Sequence, residues 1–199
     1  VEKRTVRLAA ASVAAPELAT GIAPPPRDLL LDNGLGGFSL DGKEYVITTT
    51  RDQVTPAPWV NVIANAQFGS IVSESGVAYT WSENAHEFRL TPWANDAVSE
   101  AGGEAFYLRD EESGHFWSPS PLPCRGATPY VTRHGFGYSV FEHSEEGIGT
   151  SLHIYVDLAA AIKYSVLKVR NESGRERRLS ATGYVEWVLG DLRPKSAMH

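Results

Sequence analysis

From Asp32 onward, turn-forming pairs interrupt the chain too often for any long helix. They are Asn33-Gly34, Gly36-Gly37, Asp41-Gly42, Ser75-Gly76, Gly102-Gly103, Ser113-Gly114, Glu146-Gly147 and Ser173-Gly174. Glycine reaches positive φ at little steric cost, so each pair marks a reversal. The runs between them are short and rich in aromatic and β-branched residues. Leu152, Ile154 and Val156 alternate with Ser151, His153 and Tyr155; Ile162, Tyr164 and Val166 alternate with Lys163, Ser165 and Leu167. That period of two is the signature of strands. Phe38–Leu40 and Tyr45–Ile47 flank Asp41-Gly42, which predicts a hairpin with a type I′ turn. Tyr107–Arg109 and His115–Trp117 flank a second turn at Glu112–Gly114. The last strand is expected over Leu179–Leu189, apolar on one face and mixed on the other; in a complete sandwich it would be interior with neighbours on both sides, and in a chain that stops at His199 one of its edges would lack a partner. No stretch after residue 32 holds a 3.6-residue period, so the expected class is all-β, a sandwich or barrel.

Residues 1–31 are read as an N-terminal arm or linker, and 32–199 as the sandwich domain. Leu8–Ala19 has the composition of a short helix, which Pro24-Pro25-Pro26 would stop. The chain begins at Val1 without a signal-peptide pattern and has no apolar run long enough to span a bilayer. It reads as a piece of a longer protein. The formal net charge of −6 gives no general electrostatic reason to hold nucleic acid. A single cysteine, Cys124, excludes an intrachain disulfide and reads as a half-buried loop thiol rather than a nucleophile.

Other chemistry is weighed in the same way. Asn33–Phe38 lacks the third glycine and the helix of a phosphate loop, so a tight turn before the first strand is expected. His134, Glu142 and His143 are the nearest approach to a metal set, but adjacent strand residues face opposite ways, so no metal is expected. Asp110-Glu111-Glu112 and Glu145-Glu146 read as solvated turn charges. The segment from Tyr79 to Asp96 is richer. Trp81 and Trp93 offer flat faces for a pyranose, while Asn84, Arg89, Asn95 and Asp96 offer hydrogen bonds to hydroxyls. Core tryptophans with polar residues fixing loops would give the same composition, and both readings stay open.

The order of motifs also resembles a known family. Asn33–Phe38 with Asp41–Val46, Thr55–Asn65, Arg89–Asp96, Tyr107–Glu111, Trp117–Pro119, Arg133–Tyr138, Arg177–Ser180 and Tyr184–Gly190 resemble, in order, the N-terminal domain of glycoside hydrolase family 94, formerly glycosyltransferase family 36. The nearest branch is the phosphorylase-like region of cyclic β-1,2-glucan synthases, with cellobiose, cellodextrin and chitobiose phosphorylases as relatives. Ala85-His86 departs from the Ser-Arg expected there, and Ala160-Ala161 from Asp-Pro.

The resemblance implies a galactose mutarotase-like β-supersandwich, incomplete in this chain. It implies inverting phosphorolysis or glycosyl transfer on β-glucans by a parent enzyme whose acid and phosphate site lie in a following α/α barrel. No catalytic residue and no cofactor are therefore expected here. The substrate-binding set expected is Trp81, Asn84, Arg89, Trp93, Asn95 and Asp96. Expected partners are a weakly held β-glucan oligosaccharide, the barrel and a second copy of the chain, with neither nucleic acid nor membrane contact. The expected location is cytoplasmic, with the parent attached to the bacterial inner membrane. The alternatives are a free-standing carbohydrate-binding module and a purely structural or dimerisation domain. A bare last strand would either self-associate as a symmetric dimer or be covered by Leu8–Leu31.

Overall fold

The computed structural model describes residues 28–96 and 98–190. The N-terminal arm's expected helix and the last residues lie outside that range. Among the described residues there are twelve strands. They are β1 (Gly36–Phe38), β2 (Glu44–Thr49), β3 (Val60–Ala64), β4 (Phe68–Ser73), β5 (Ala78–Ser82) and β6 (Glu104–Asp110). The rest are β7 (Phe116–Trp117), β8 (Tyr130–Gly135), β9 (Tyr138–Glu145), β10 (Ile148–Val156), β11 (Lys163–Asn171) and β12 (Leu179–Val185). A six-stranded sheet has the order β1-β2-β8-β9-β10-β11, and two three-stranded sheets have the orders β3-β4-β5 and β12-β6-β7. Every pairing is antiparallel. No described helix is long and apolar enough to cross a membrane.

Alternation within β10 explains the packing. Ile148, Thr150, Leu152, Ile154 and Val156 are buried while the residues between them are not. That inner face, with Phe141 of β9, packs on Ile63, Phe68, Val72 and Ala78 of the β3-β4-β5 sheet. The far end of the same face, at Ile148, packs on Leu108 and Trp117 of the β12-β6-β7 sheet. The large sheet thus covers both small ones. In β11 the face carrying Lys163, Ser165 and Leu167 continues inward, since Leu152 pairs Leu167 and Val156 pairs Lys163. Tyr164 lies on the other face and stacks on Tyr155, centroids 5.0 Å apart.

Six of the eight expected pairs carry a positive-φ glycine, at Gly34, Gly42, Gly76, Gly114, Gly147 and Gly174, whereas Gly36-Gly37 lies in β1 and Gly102-Gly103 leads into β6. Glu146 (φ 47°) and Gly147 (φ 77°) form a two-residue reversal between β9 and β10. Between β1 and β2 only Gly42 (φ 70°) is left-handed. The chain instead makes a wider loop over 39–43, with the Gly42 amide on the Ser39 carbonyl at 2.8 Å. The type I′ expectation fails because Asp41 keeps a negative φ and hydrogen-bonds the Ser39 hydroxyl at 2.6 Å.

Two further expectations are corrected. The last strand ends at Val185 rather than Leu189; among the described residues β12 has one hydrogen-bonded neighbour, β6, as expected for an incomplete sandwich. Beyond it the chain turns toward Leu90, to whose carbonyl the Val188 amide donates at 2.9 Å. Trp187 stays 63% exposed. The turn carboxylates are not all solvated either. Asp110 is fully buried and accepts Arg177 Nε at 2.9 Å, and Glu145 is also buried. Cys124, as expected, is a partly buried loop thiol.

The three sheets meet at one polar junction. Lys163 of β11 is ion-paired with Glu104 of β6, and its ammonium also donates to Ser70 of β4 at 3.1 Å and Thr80 of β5 at 3.2 Å. The other Glu104 oxygen accepts the Thr80 and Thr91 hydroxyls, both at 2.7 Å. Burial alone would raise the Glu104 pKa; the Lys163 charge and hydrogen bond, with the two threonine hydroxyls, outweigh it and hold the carboxyl below its ordinary value. Removing one partner leaves a buried uncompensated charge, whereas replacing both removes the desolvation cost as well. Lys163→Met should therefore cost about 3 kcal/mol in urea unfolding, and Lys163→Met/Glu104→Leu should recover much of that loss. Equal losses in the single and double variants would show that charge pairing is not what the junction supplies.

Candidate functional site

β5 and the loop after it carry most of the expected sugar-binding residues. Tyr79 and Trp81 share one face of β5, and Trp93 also lies against Tyr79. The ring centroids lie 5.4 Å apart for Trp81–Tyr79 and 4.9 Å for Tyr79–Trp93. The Arg89 guanidinium stands 5.8 Å over the Tyr79 ring, and its Nε donates to the Ala85 carbonyl at 3.2 Å. An aromatic row with a cation across it results. Trp81 is held by close approach: a side chain at Gly69 on the neighbouring strand would collide with its ring.

The polar members divide. Asn84 turns its side-chain oxygen back on its own loop, accepting the amides of His86 at 2.8 Å and Glu87 at 3.0 Å. It is a turn-former here. Asp96 likewise accepts the Val98 amide at 2.9 Å and the Ser99 hydroxyl at 2.6 Å. Those bonds, the Ser99 hydroxyl first, hold its carboxyl below the ordinary value. Asn95 (φ 50°) and Glu100 (φ 44°) are both left-handed, a costly conformation outside glycine that marks the 93–102 loop as over-determined. The Trp93–Gly102 bridge closes that loop.

Trp93, Asn95 and Asp96 line one cavity of about 330 Å³ together with Ala57, Pro58, Val60 and Glu100. Trp81, Asn84 and Arg89 are not among its lining residues. Glu100 Oε1 is buried there with no hydrogen-bond partner. A buried acceptor without a donor is costly, so it is the feature of this cavity that most calls for a hydroxyl or amide from outside. Sequence reasoning missed Glu100, because a glutamate in a polar loop carries no pattern that separates it from a solvated one. Tyr79, the centre of the row, was also missed; its alternation with Trp81 was the available signal.

Two other acidic residues are engaged within the fold. Glu145 is bracketed by His143 Nε2 at 3.2 Å and His115 Nε2 at 3.3 Å, and it accepts the Ala127 amide at 2.9 Å. Tyr130 stacks on His143 with centroids 3.7 Å apart. Glu74 holds the Trp59 amide at 2.7 Å and the Thr55 hydroxyl; burial, the largest influence, raises its pKa. Among the described residues, no group of three or more His, Cys, Asp or Glu side chains is placed to hold a metal ion. His134 instead contacts the Trp59 carbonyl at 3.1 Å and the Ser139 hydroxyl at 2.9 Å.

Comparison with known proteins places this architecture. The profile of the glycosyl hydrolase 94 supersandwich domain matches residues 43–199. The chain belongs to the glycosyl hydrolase 94 supersandwich family. It is 42% identical over 171 residues to the cyclic beta-(1,2)-glucan synthase NdvB of Rhizobium meliloti (strain 1021), covering 85% of this chain and 6% of that protein. It is 31% identical over 167 residues to the N,N'-diacetylchitobiose phosphorylase of Vibrio furnissii, covering 82% of this chain and 20% of that protein. A solabiose phosphorylase of Paenibacillus borealis is 30% identical over 163 residues, covering 78% of this chain and 20% of its own length. The chain therefore spans a small part of each of these relatives. The facing sheets are the supersandwich of that family, and the resemblance seen in the motifs is to the right one.

The Glu145 cluster gives a pH test of the sandwich carrying the cavity. Burial works against the ionised carboxyl, but the hydrogen bonds from His143 and Ala127, the His143 charge and the His115 hydrogen bond hold its pKa down at about 2, from an ordinary 4.5. A depressed folded pKa stabilises the fold above the unfolded value and loses that contribution as pH falls through the folded one. The gap in urea midpoint between wild type and Glu145→Gln should thus close as pH falls between 4.5 and about 2. A gap that does not narrow in that window would show the carboxylate charge to be uninvolved.

Proposed function

We propose that this chain is the non-catalytic sandwich part of an enzyme acting on β-glucans by phosphorolysis or glycosyl transfer, and that its 93–102 loop contacts the glycan. The observation that carries the glycan contact is the unpartnered Glu100 oxygen in a cavity walled by Trp93. A pyranose has an apolar face for the indole and equatorial hydroxyls to donate to a carboxylate. Asn95, exposed at the rim, adds an amide. Of the expected binding set, this reading keeps Trp93, Asn95 and Asp96 at the glycan, with Asp96 shaping the loop. Trp81 and Arg89 brace the row behind it, and Asn84 forms its own turn.

The names of the relatives support the substrate class: a cyclic β-(1,2)-glucan synthase and several disaccharide phosphorylases. The buried carboxylates support a non-catalytic role. Glu74, Asp110 and Glu145 are each held by hydrogen bonds within the fold. A general acid must instead reach the glycosidic oxygen.

The test is a titration of the chain with sophorose and longer β-1,2-linked gluco-oligosaccharides, followed by amide NMR. Binding should be weak, because one stacking face and a few hydroxyl bonds must offset the entropy of association. Shifts should centre on residues 93–102, and Trp93→Ala or Glu100→Ala should abolish them while the rest of the spectrum stays folded. With phosphate added, no sugar phosphate should be released. Shifts confined to other strands, binding unaffected by both variants, or phosphorolysis by the chain would each overturn the reading.

A further inference from the structure

Glu74 is a buried carboxylate just past the end of β4, 1% exposed. Burying a carboxylate is costly unless hydrogen bonds answer it. Its two described side-chain hydrogen bonds both go to one segment, residues 55–59. Oε2 accepts the Trp59 amide at 2.7 Å, and Oε1 accepts the Thr55 hydroxyl. The Glu74 amide donates in turn to the Trp59 carbonyl at 3.0 Å. One residue thus engages the amide and the carbonyl of Trp59, and Thr55 besides.

The segment it holds has little means of holding itself. Pro56 and Pro58 have no amide to donate, and 55–59 belongs to none of the strands. At the other root, Arg125 Nη1 donates to the Thr50 carbonyl at 3.0 Å. Between these two anchors, Ala57 and Pro58 form part of the wall of the cavity that Trp93, Asn95 and Glu100 also line. The Glu100 charge is felt at Glu74 as well. Burial is the largest influence raising the Glu74 pKa, and the Glu100 charge is another. The anchor of one wall therefore lies within the field of the other.

We propose that Glu74 is a positioning residue for glycan binding: through Thr55 and Trp59 it fixes Ala57 and Pro58 where a pyranose against Trp93 meets them. This rests on the reading that the cavity holds a glycan. Glu74 does not touch the sugar. A binding wall made from an irregular segment needs such support, because packing contacts fall away steeply with small displacements. The role also accounts for a buried carboxylate where an apolar side chain would avoid the desolvation cost. A leucine there would fill space but leave the Trp59 amide and the Thr55 hydroxyl without their acceptor.

The experiment titrates the full chain with sophorose and longer β-1,2-linked gluco-oligosaccharides, followed by amide NMR. Thr55→Val keeps the side-chain shape and removes the hydroxyl, and Thr55→Ser keeps the hydroxyl. Thr55→Val should bind about fivefold more weakly, the effect of one lost hydrogen bond, while Thr55→Ser binds as wild type does. Glu74→Ala should lose the shifts at 93–102. Glu74→Gln should keep them, since its amide group still accepts from Trp59 and donates to Thr55. Thr55 is only half-buried, so its variants carry the test if Glu74→Ala does not fold. Without glycan, the 55–59 amides should move in Thr55→Val and stay in place in Thr55→Ser. A purely structural role would lower the urea midpoint of Thr55→Val and leave the affinity of the folded protein unchanged. That result, with wild-type shifts at 93–102, would overturn the proposal while leaving the cavity as a glycan site. Equal weakening by Thr55→Ser and Thr55→Val would overturn it too. Wild-type shifts confined to other strands would overturn the proposal together with the glycan reading.

Discussion

The architecture depends on one ion pair. Lys163 comes from the large sheet and Glu104 from β12-β6-β7, and the hydroxyls that complete their coordination come from β4 and β5. Apolar packing alone is non-directional and would let the two small sheets slide beneath the large one. A buried pair with its donors and acceptors satisfied tolerates little displacement. Its net worth against an apolar replacement is small or negative, so its contribution lies in fixing the relative position of the sheets. That position sets the gap between β11 and β12.

The same economy runs through the other acidic residues. Asp110 ties β6 to Arg177 at the entrance to β12, and Glu145 ties β9 to the loop before β8 and to His115 ahead of β7. Glu44 of β2 holds Arg133 of β8 at 2.9 Å. A net charge of −6 therefore says little about the surface, since several of the carboxylates are structural. Glu100 stands apart, with one oxygen buried and unpartnered in a loop held by two left-handed residues. That oxygen is the reason the 93–102 loop is the one proposed to contact the glycan.

Much of the fold was legible because its signals are local. Glycine pairs at turns and alternation in β10 need only a few neighbouring residues to be read, and the strands lie where they predict. What escaped depends on distant partners. Asp110 and Glu145 look like solvated turn charges until Arg177 and His115 are brought to them from far along the chain. The last strand was expected to reach Leu189 because its apolar alternation continues that far, yet its ladder with β6 ends at Val185 and the Val188 amide bonds the Leu90 carbonyl. At the candidate site, aromatic content pointed to the Tyr79–Asp96 segment. Side-chain direction then decided which residues reach the cavity: Asn84 and Trp93 are equally plausible in sequence, but one caps a turn and the other lines the wall.

The central functional claim is that the Trp93–Glu100 cavity is built for a sugar. The most direct measurement is a crystal structure of the chain soaked with sophorose at saturating concentration. A pyranose should lie against the Trp93 ring, with a hydroxyl within hydrogen-bond distance of Glu100 Oε1 and the 93–102 backbone unchanged. Sugar bound elsewhere with this cavity empty, or Glu100 Oε1 satisfied by an ordered water that the sugar does not displace, would contradict it.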